Sequence, residues 1–138
     1  MSLSLSKKIE VGCGIATASL GIFIYSYILN QDMAMYRRLN QPVRLSMQHV
    51  VGFCIIAAPS MLVAIGACAH AFKHKSWPLK VLWAGVILNC LLIVVFFYGF
   101  ALAFNHDVLG ITAVLIEFVL TIGTLIAAYA HRITFGTK

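Results

Sequence analysis

Residues 108–130 read VLGITAVLIEFVLTIGTLIAAYA, a run in which Glu117 is the single charged side chain. A helix that crosses a bilayer needs about 20 predominantly apolar residues, and this run meets that length. Three further runs of the same kind occupy 9–31, 49–72 and 79–105. In hydrocarbon every backbone N–H and C=O must find an internal partner, which leaves helices or a closed barrel. The runs are continuously apolar and lack the period-2 alternation of barrel strands. The expected fold is all-α: an integral membrane four-helix bundle in a single domain, 1–138.

Composition agrees with that reading. The chain is 62% hydrophobic and 10% charged, against roughly 25% charged residues in soluble domains, so little is left to build a soluble domain. The first run is read as a retained span. Its most apolar part, 11–29, exceeds the ~7–15 residues of a signal-peptide core, and no A-x-A site closes it. No internal repeat, low-complexity tract or linker divides the chain.

The net charge of +6 is read against a membrane first. If the chain threads straight through four helices, Lys7, Lys8, Lys73, Lys75, Lys80, Arg132 and Lys138 fall on one side and Arg37, Arg38 and Arg44 on the other. Lys and Arg accumulate in cytoplasmic flanks, so both termini are expected in the cytoplasm. These cations flank helices, where they meet anionic headgroups of the lipid bilayer. A nucleic-acid partner is not expected.

Cys13, Cys54, Cys68 and Cys90 all fall inside the runs without CxxC spacing. They are read as small hydrophobes, with no disulfide or metal site expected. Gly12, Gly14, Ala16, Ala18, Ser19 and Gly21 crowd the first half of helix 1, and Gly14 with Ala18 has the small-xxx-small spacing that lets helices approach closely. Pro59 should bend helix 2. A polar loop is expected over 32–47, and a very short turn at 105–107 should fold helices 3 and 4 into a hairpin. No GxSxG, P-loop or HExxH pattern occurs, and no enzymatic activity is expected.

The residues that stand out from an inert bundle are the histidines and one intramembrane glutamate. His49 and His106 fall at the exoplasmic helix ends, and His70, His74 and His131 at or just beyond the cytoplasmic ends. His49 and His70 stand 21 positions apart, about 31 Å along a helix, so they cannot share a ligand. Glu117 lies near the middle of helix 4, where an acid must be protonated, paired or turned to a wet cavity. With Thr121, Thr124, Ala128 and His131 it forms one stripe at helical spacing. Asn89 or a tyrosine is its expected hydrogen-bond partner.

Tyr129-Ala130-His131-Arg132 at the end of helix 4 resembles the aromatic–Ala–basic–basic signature that closes the last helix of the haem-responsive-gene haem transporters. The resemblance extends through helix 3 from Trp83 to Val108, with His106 where that family has an exoplasmic histidine. The family's motif ends in another aromatic, whereas here Ile133 follows Arg132. The resemblance implies a four-span haem transporter of endosomal, lysosomal or plasma membranes that moves haem toward the cytoplasm. His106 and His49 would then receive haem, His70 and His131 release it, and Tyr129 and Arg132 supply an axial ligand and a propionate partner. Tyr129 and His131 lie about 200° apart around a helix, so a single axial ligand beside Arg132 is the easier geometry. Two other readings stay open. One is a haem-b electron-transfer protein with His49/His106 and His70/His131 as ligand pairs. The other is a non-catalytic accessory subunit of a larger membrane complex or homo-oligomer.

Overall fold

The computed structural model describes residues 4–72, 76–103 and 108–135. At 96–103, 131 and 133–135 it describes the backbone alone. Four helices follow in order: α1 (Leu5–Arg38), α2 (Met47–Phe72), α3 (Trp77–Ala103) and α4 (Val108–Phe135). Each carries a stretch long and apolar enough to cross a membrane, and the burial pattern agrees. Leu91, Val95, Val119 and Ile126 point outward at 60–67% exposure, while Glu10, Ser60, Asn89, Glu117, Thr121 and Thr124 are buried. Apolar outside and polar inside is stable in lipid and costly in water. The protein is an integral membrane four-helix bundle.

Successive helices run antiparallel. Gly14 of α1 faces Ala67 of α2, and Gly66 of α2 faces Leu82 of α3. Asn89 of α3 reaches Thr121 of α4, and Gly21 of α1 lies beside Glu117 of α4, closing the ring. The start of α1 and the end of α4 therefore lie at one end of the bundle, called here the Glu10 end. The connection between α1 and α2 lies at the other, the Asp32 end.

The helices touch through small residues. A Cβ on Gly66 would stand 2.5 Å from the Leu82 nitrogen, and one on Gly85 would stand 2.7 Å from the Val63 nitrogen. Both neighbours are backbone, so α2 and α3 are in direct main-chain contact. Glycine supplies that approach, and between helices in lipid such packing takes over from a hydrophobic driving force. Two apolar clusters stack along the bundle. Val63, Ala67, Leu82, Val86 and Ala128 fill the Glu10 half, and Ile24, Ile93, Ala113 and Val114 fill the Asp32 half. A polar layer separates them.

α1 differs from expectation at its C-terminal end. Residues 32–38, expected in a loop, continue the helix. The stretch holds no Gly or Pro, and Arg37 and Arg38 in the last turn favour the negative end of the helix dipole. The helix closes with a Schellman motif. Asn40 adopts φ 51°, its N–H reaches the Arg37 carbonyl at 3.2 Å, and the Gln41 N–H reaches that of Tyr36 at 3.0 Å. Asparagine tolerates this left-handed position better than most side chains. At 34 residues, or about 51 Å, α1 outreaches the ~30 Å hydrocarbon layer. α4 likewise continues past Ala130 to Phe135. Pro59 lies buried inside α2.

Candidate functional site

Along α1, Glu10, Gly21 and Asp32 are spaced by eleven residues each. Eleven residues advance about 16.5 Å and complete three turns with only about 20° to spare, so the three positions share one face. That face lies on α2, where His70, Ser60 and His49 stand opposite them in turn. The antiparallel pair thus carries polar groups at three depths, spanning about 33 Å, close to the thickness of the hydrocarbon core.

At the Glu10 end, Oε1 of the fully buried Glu10 lies 2.7 Å from Nδ1 of His70. At the Asp32 end, His49 is held on both sides. Its Nδ1 accepts the Ser46 N–H at 2.9 Å, so the ring proton sits on Nε2, 3.1 Å from Asp32 Oδ2. Ser46 precedes the first residue of α2, and a side chain three residues on that accepts its N–H is one half of a capping box. The His49 carbonyl also accepts the Tyr25 hydroxyl at 2.8 Å, which ties α1 to the start of α2.

The middle layer gathers side chains from three helices around Glu117. Ser60 of α2 makes a short hydrogen bond to Glu117 Oε1. Asn89 of α3 donates to the same oxygen at 3.3 Å and to Thr121 Oγ1 at 2.9 Å. Thr121 in turn donates to the Glu117 carbonyl at 2.7 Å, and Thr124 to that of Leu120 at 2.7 Å. Gly21 makes room for this layer, since a Cβ there would collide with Ser60. A small cavity adjoins it, lined by Glu117 and Asn89 with Ile24, Ile56, Leu92, Ile93 and Val114. It has about 20 Å³ of room for water, enough for one molecule.

These contacts place the expected residues as follows. Glu117 meets Asn89, and its stripe through Thr121, Thr124 and Ala128 faces inward. His49 and His70 each turn to an acid on α1. They stand at opposite ends of the seam and share no ligand. Tyr129 lies on the outer surface, where its hydroxyl accepts the Trp83 indole N–H at 3.0 Å. Arg132 is exposed one turn further on. Because α4 runs unbroken through Ala130, Tyr129 and His131 stay on different faces. His106 and His74 lie outside the described residues, as does the side chain of His131. Among the described residues, no three His, Cys, Asp or Glu side chains come together to hold a metal ion.

Sequence reasoning singled out one glutamate; the bundle encloses two, Glu117 and Glu10. It also left Asp32 and Ser60 without a role. The signal that finds all three is the eleven-residue spacing of Glu10, Gly21 and Asp32, matched on α2 by His49 and Ser60. Comparison with protein-family models, curated proteins and solved structures gives no match to this chain.

Proposed function

We propose that the protein is a small membrane transporter in which the α1–α2 seam passes a cationic species between the two faces, with Glu117 as the central binding group. The observation that carries this reading is the alignment of three acids at three depths along one helix pair and its neighbours, each met by a histidine, hydroxyl or amide. Ionisable side chains turned into a membrane bundle are costly and mark ion pathways and proton relays. The seam is closed toward the Glu10 end in this conformer, because Gly14 and Ala67 bring α1 and α2 into contact between Glu10 and the middle layer. Transport would then require α1 and α2 to part on one side at a time. By the distribution of Lys and Arg, the Glu10 end faces the cytoplasm.

The test is purified protein in sealed vesicles, with a voltage-sensitive dye and imposed proton, sodium and potassium gradients. Protein-dependent decay of the potential under at least one gradient is the expected result. Decay matching protein-free vesicles under all three overturns the reading and favours the accessory-subunit alternative.

A second reading keeps haem as cargo. It is favoured by Tyr129 and Arg132, which lie three residues apart on one exposed face of α4, a spacing that puts a phenol and a guanidinium side by side. Haem would be met at that outer surface, since His49 has both ring nitrogens engaged. In haem-requiring cells, expression should improve growth at limiting haem, and Tyr129→Phe with Arg132→Ala should remove the gain. Equal growth with and without the protein excludes haem.

A further inference from the structure

The hydrogen bonds around Glu117 can be counted proton by proton. The Thr121 hydroxyl proton goes to the Glu117 carbonyl, and the two Asn89 amide protons go to Thr121 Oγ1 and Glu117 Oε1. That leaves the single Ser60 hydroxyl proton facing two acceptors: Asn89 Oδ1 at 3.2 Å and Glu117 Oε1 at closer range. Given to Glu117, the proton leaves Asn89 Oδ1 unserved, a cost on the order of 1–3 kcal/mol for a buried acceptor; given to Asn89, it leaves two oxygens, Ser60 Oγ and Glu117 Oε1, in contact with no proton between them. A proton on Glu117 resolves the count. The carboxylic acid donates to Ser60 Oγ and Ser60 passes its own proton to Asn89 Oδ1, so both contacts of the serine hold a proton.

The surroundings agree. α1, α2 and α3 present Gly21, Ser60 and Asn89 to Glu117, and its neighbours one turn away on α4 are Ala113, Val114, Leu120 and Thr121. Among the described residues no cation faces it, and a buried carboxylate with no cation beside it is costly enough that the group takes up a proton instead. The adjoining cavity gives room for a water molecule beside the carboxyl. Ile24, Ile56, Leu92, Ile93 and Val114 all lie about one turn from Glu117 toward the Asp32 end. On the other side Val63, Ala67, Leu82, Val86 and Ala128 close the bundle.

We propose that Glu117 is a proton-binding site, held in this conformer as a neutral carboxylic acid and exchanging its proton with water through the cavity on the Asp32 side. The exchange is a plain transfer: hydronium arriving by the cavity gives its proton to the carboxylate and leaves as water. As the coupling ion of a transporter the proton rests on the function proposed above; as the occupant of Glu117 it does not.

The test is infrared spectroscopy of the full chain in lipid, reading the carbonyl stretch of a neutral carboxylic acid, which a carboxylate lacks. The chain has two glutamates, Glu10 and Glu117, so carbon-13 glutamate labelling shifts any band arising from either. Glu10→Gln leaves Glu117 as its only source. The expected result is an acid band at neutral pH that survives Glu10→Gln, disappears in Glu117→Gln and shifts promptly in deuterium oxide. Val114→Phe, which fills the cavity, should slow that shift, with Ile56→Phe as the second variant should the first fail to fold. No acid band in the Glu10→Gln protein overturns the proposal even if vesicles show cation flux. A band that ignores deuterium oxide overturns the access route. A band with no flux under any gradient leaves the proton site standing and removes the transporter.

Discussion

Glu10 and Glu117 are both enclosed by helices, yet they are held by different chemistry: an imidazole at one, a hydroxyl and an amide at the other. The difference predicts different responses to substitution. Glu117→Gln keeps an oxygen to accept from Asn89 and an N–H to donate to Ser60, so the fold should survive with little loss. Glu117→Leu abandons both partners and should cost on the order of 1–3 kcal/mol in thermal unfolding in detergent. His70→Ala instead removes the imidazole that lies 2.7 Å from the buried Glu10 carboxyl, a loss on the order of 1–3 kcal/mol for a buried hydrogen bond. Adding Glu10→Gln should return part of it. Losses of His70→Ala and Glu10→Gln that simply add in the double variant would mean that His70 and Glu10 are not coupled. The residue scale is also where the sequence was least legible. Glu10 follows Lys7 and Lys8 at the margin of an apolar run, and only the eleven-residue register turns it inward onto His70.

Helix existence could be read from hydropathy, because four long apolar runs in one chain have no other stable arrangement in lipid. Helix ends could not. The last two turns of α1 carry Asp32, Arg37 and Arg38 among apolar residues, and they stay helical because no Gly or Pro breaks them before Asn40. Which faces meet was legible only in part: Gly14 signalled close approach, but Gly66 and Gly85, which set the α2–α3 contact, stood unremarked in apolar sequence. These glycines are separable by experiment. Gly66→Ala and Gly85→Ala press a methyl into a neighbouring backbone and should each cost on the order of 1–3 kcal/mol. Gly12→Ala meets nothing within 4 Å and should be neutral or stabilising by up to about 1 kcal/mol, as expected for replacing a glycine inside a helix. Denaturation in detergent would check the order, and Gly12→Ala as the most damaging of the three would contradict the packing described.

Taken whole, the molecule is two apolar clusters with a polar layer between them and an acid–histidine pair at each end of the α1–α2 seam. The start of α1 and the end of α4 both lie at the Glu10 end. Cysteines introduced at Ser4 and at Lys138 in a chain stripped of its native cysteines should react with a membrane-impermeant thiol reagent from the same side. Reaction from opposite sides would contradict the four-span arrangement. The functional account comes down to whether this layered polar path moves charge and whether Glu117 is the group on which it depends. The direct measurement is potential-driven cation flux in vesicles holding equal amounts of folded wild-type and Glu117→Gln protein. The account predicts flux above the protein-free level for the wild type and flux at that level for the variant. Equal flux from the two proteins would contradict it.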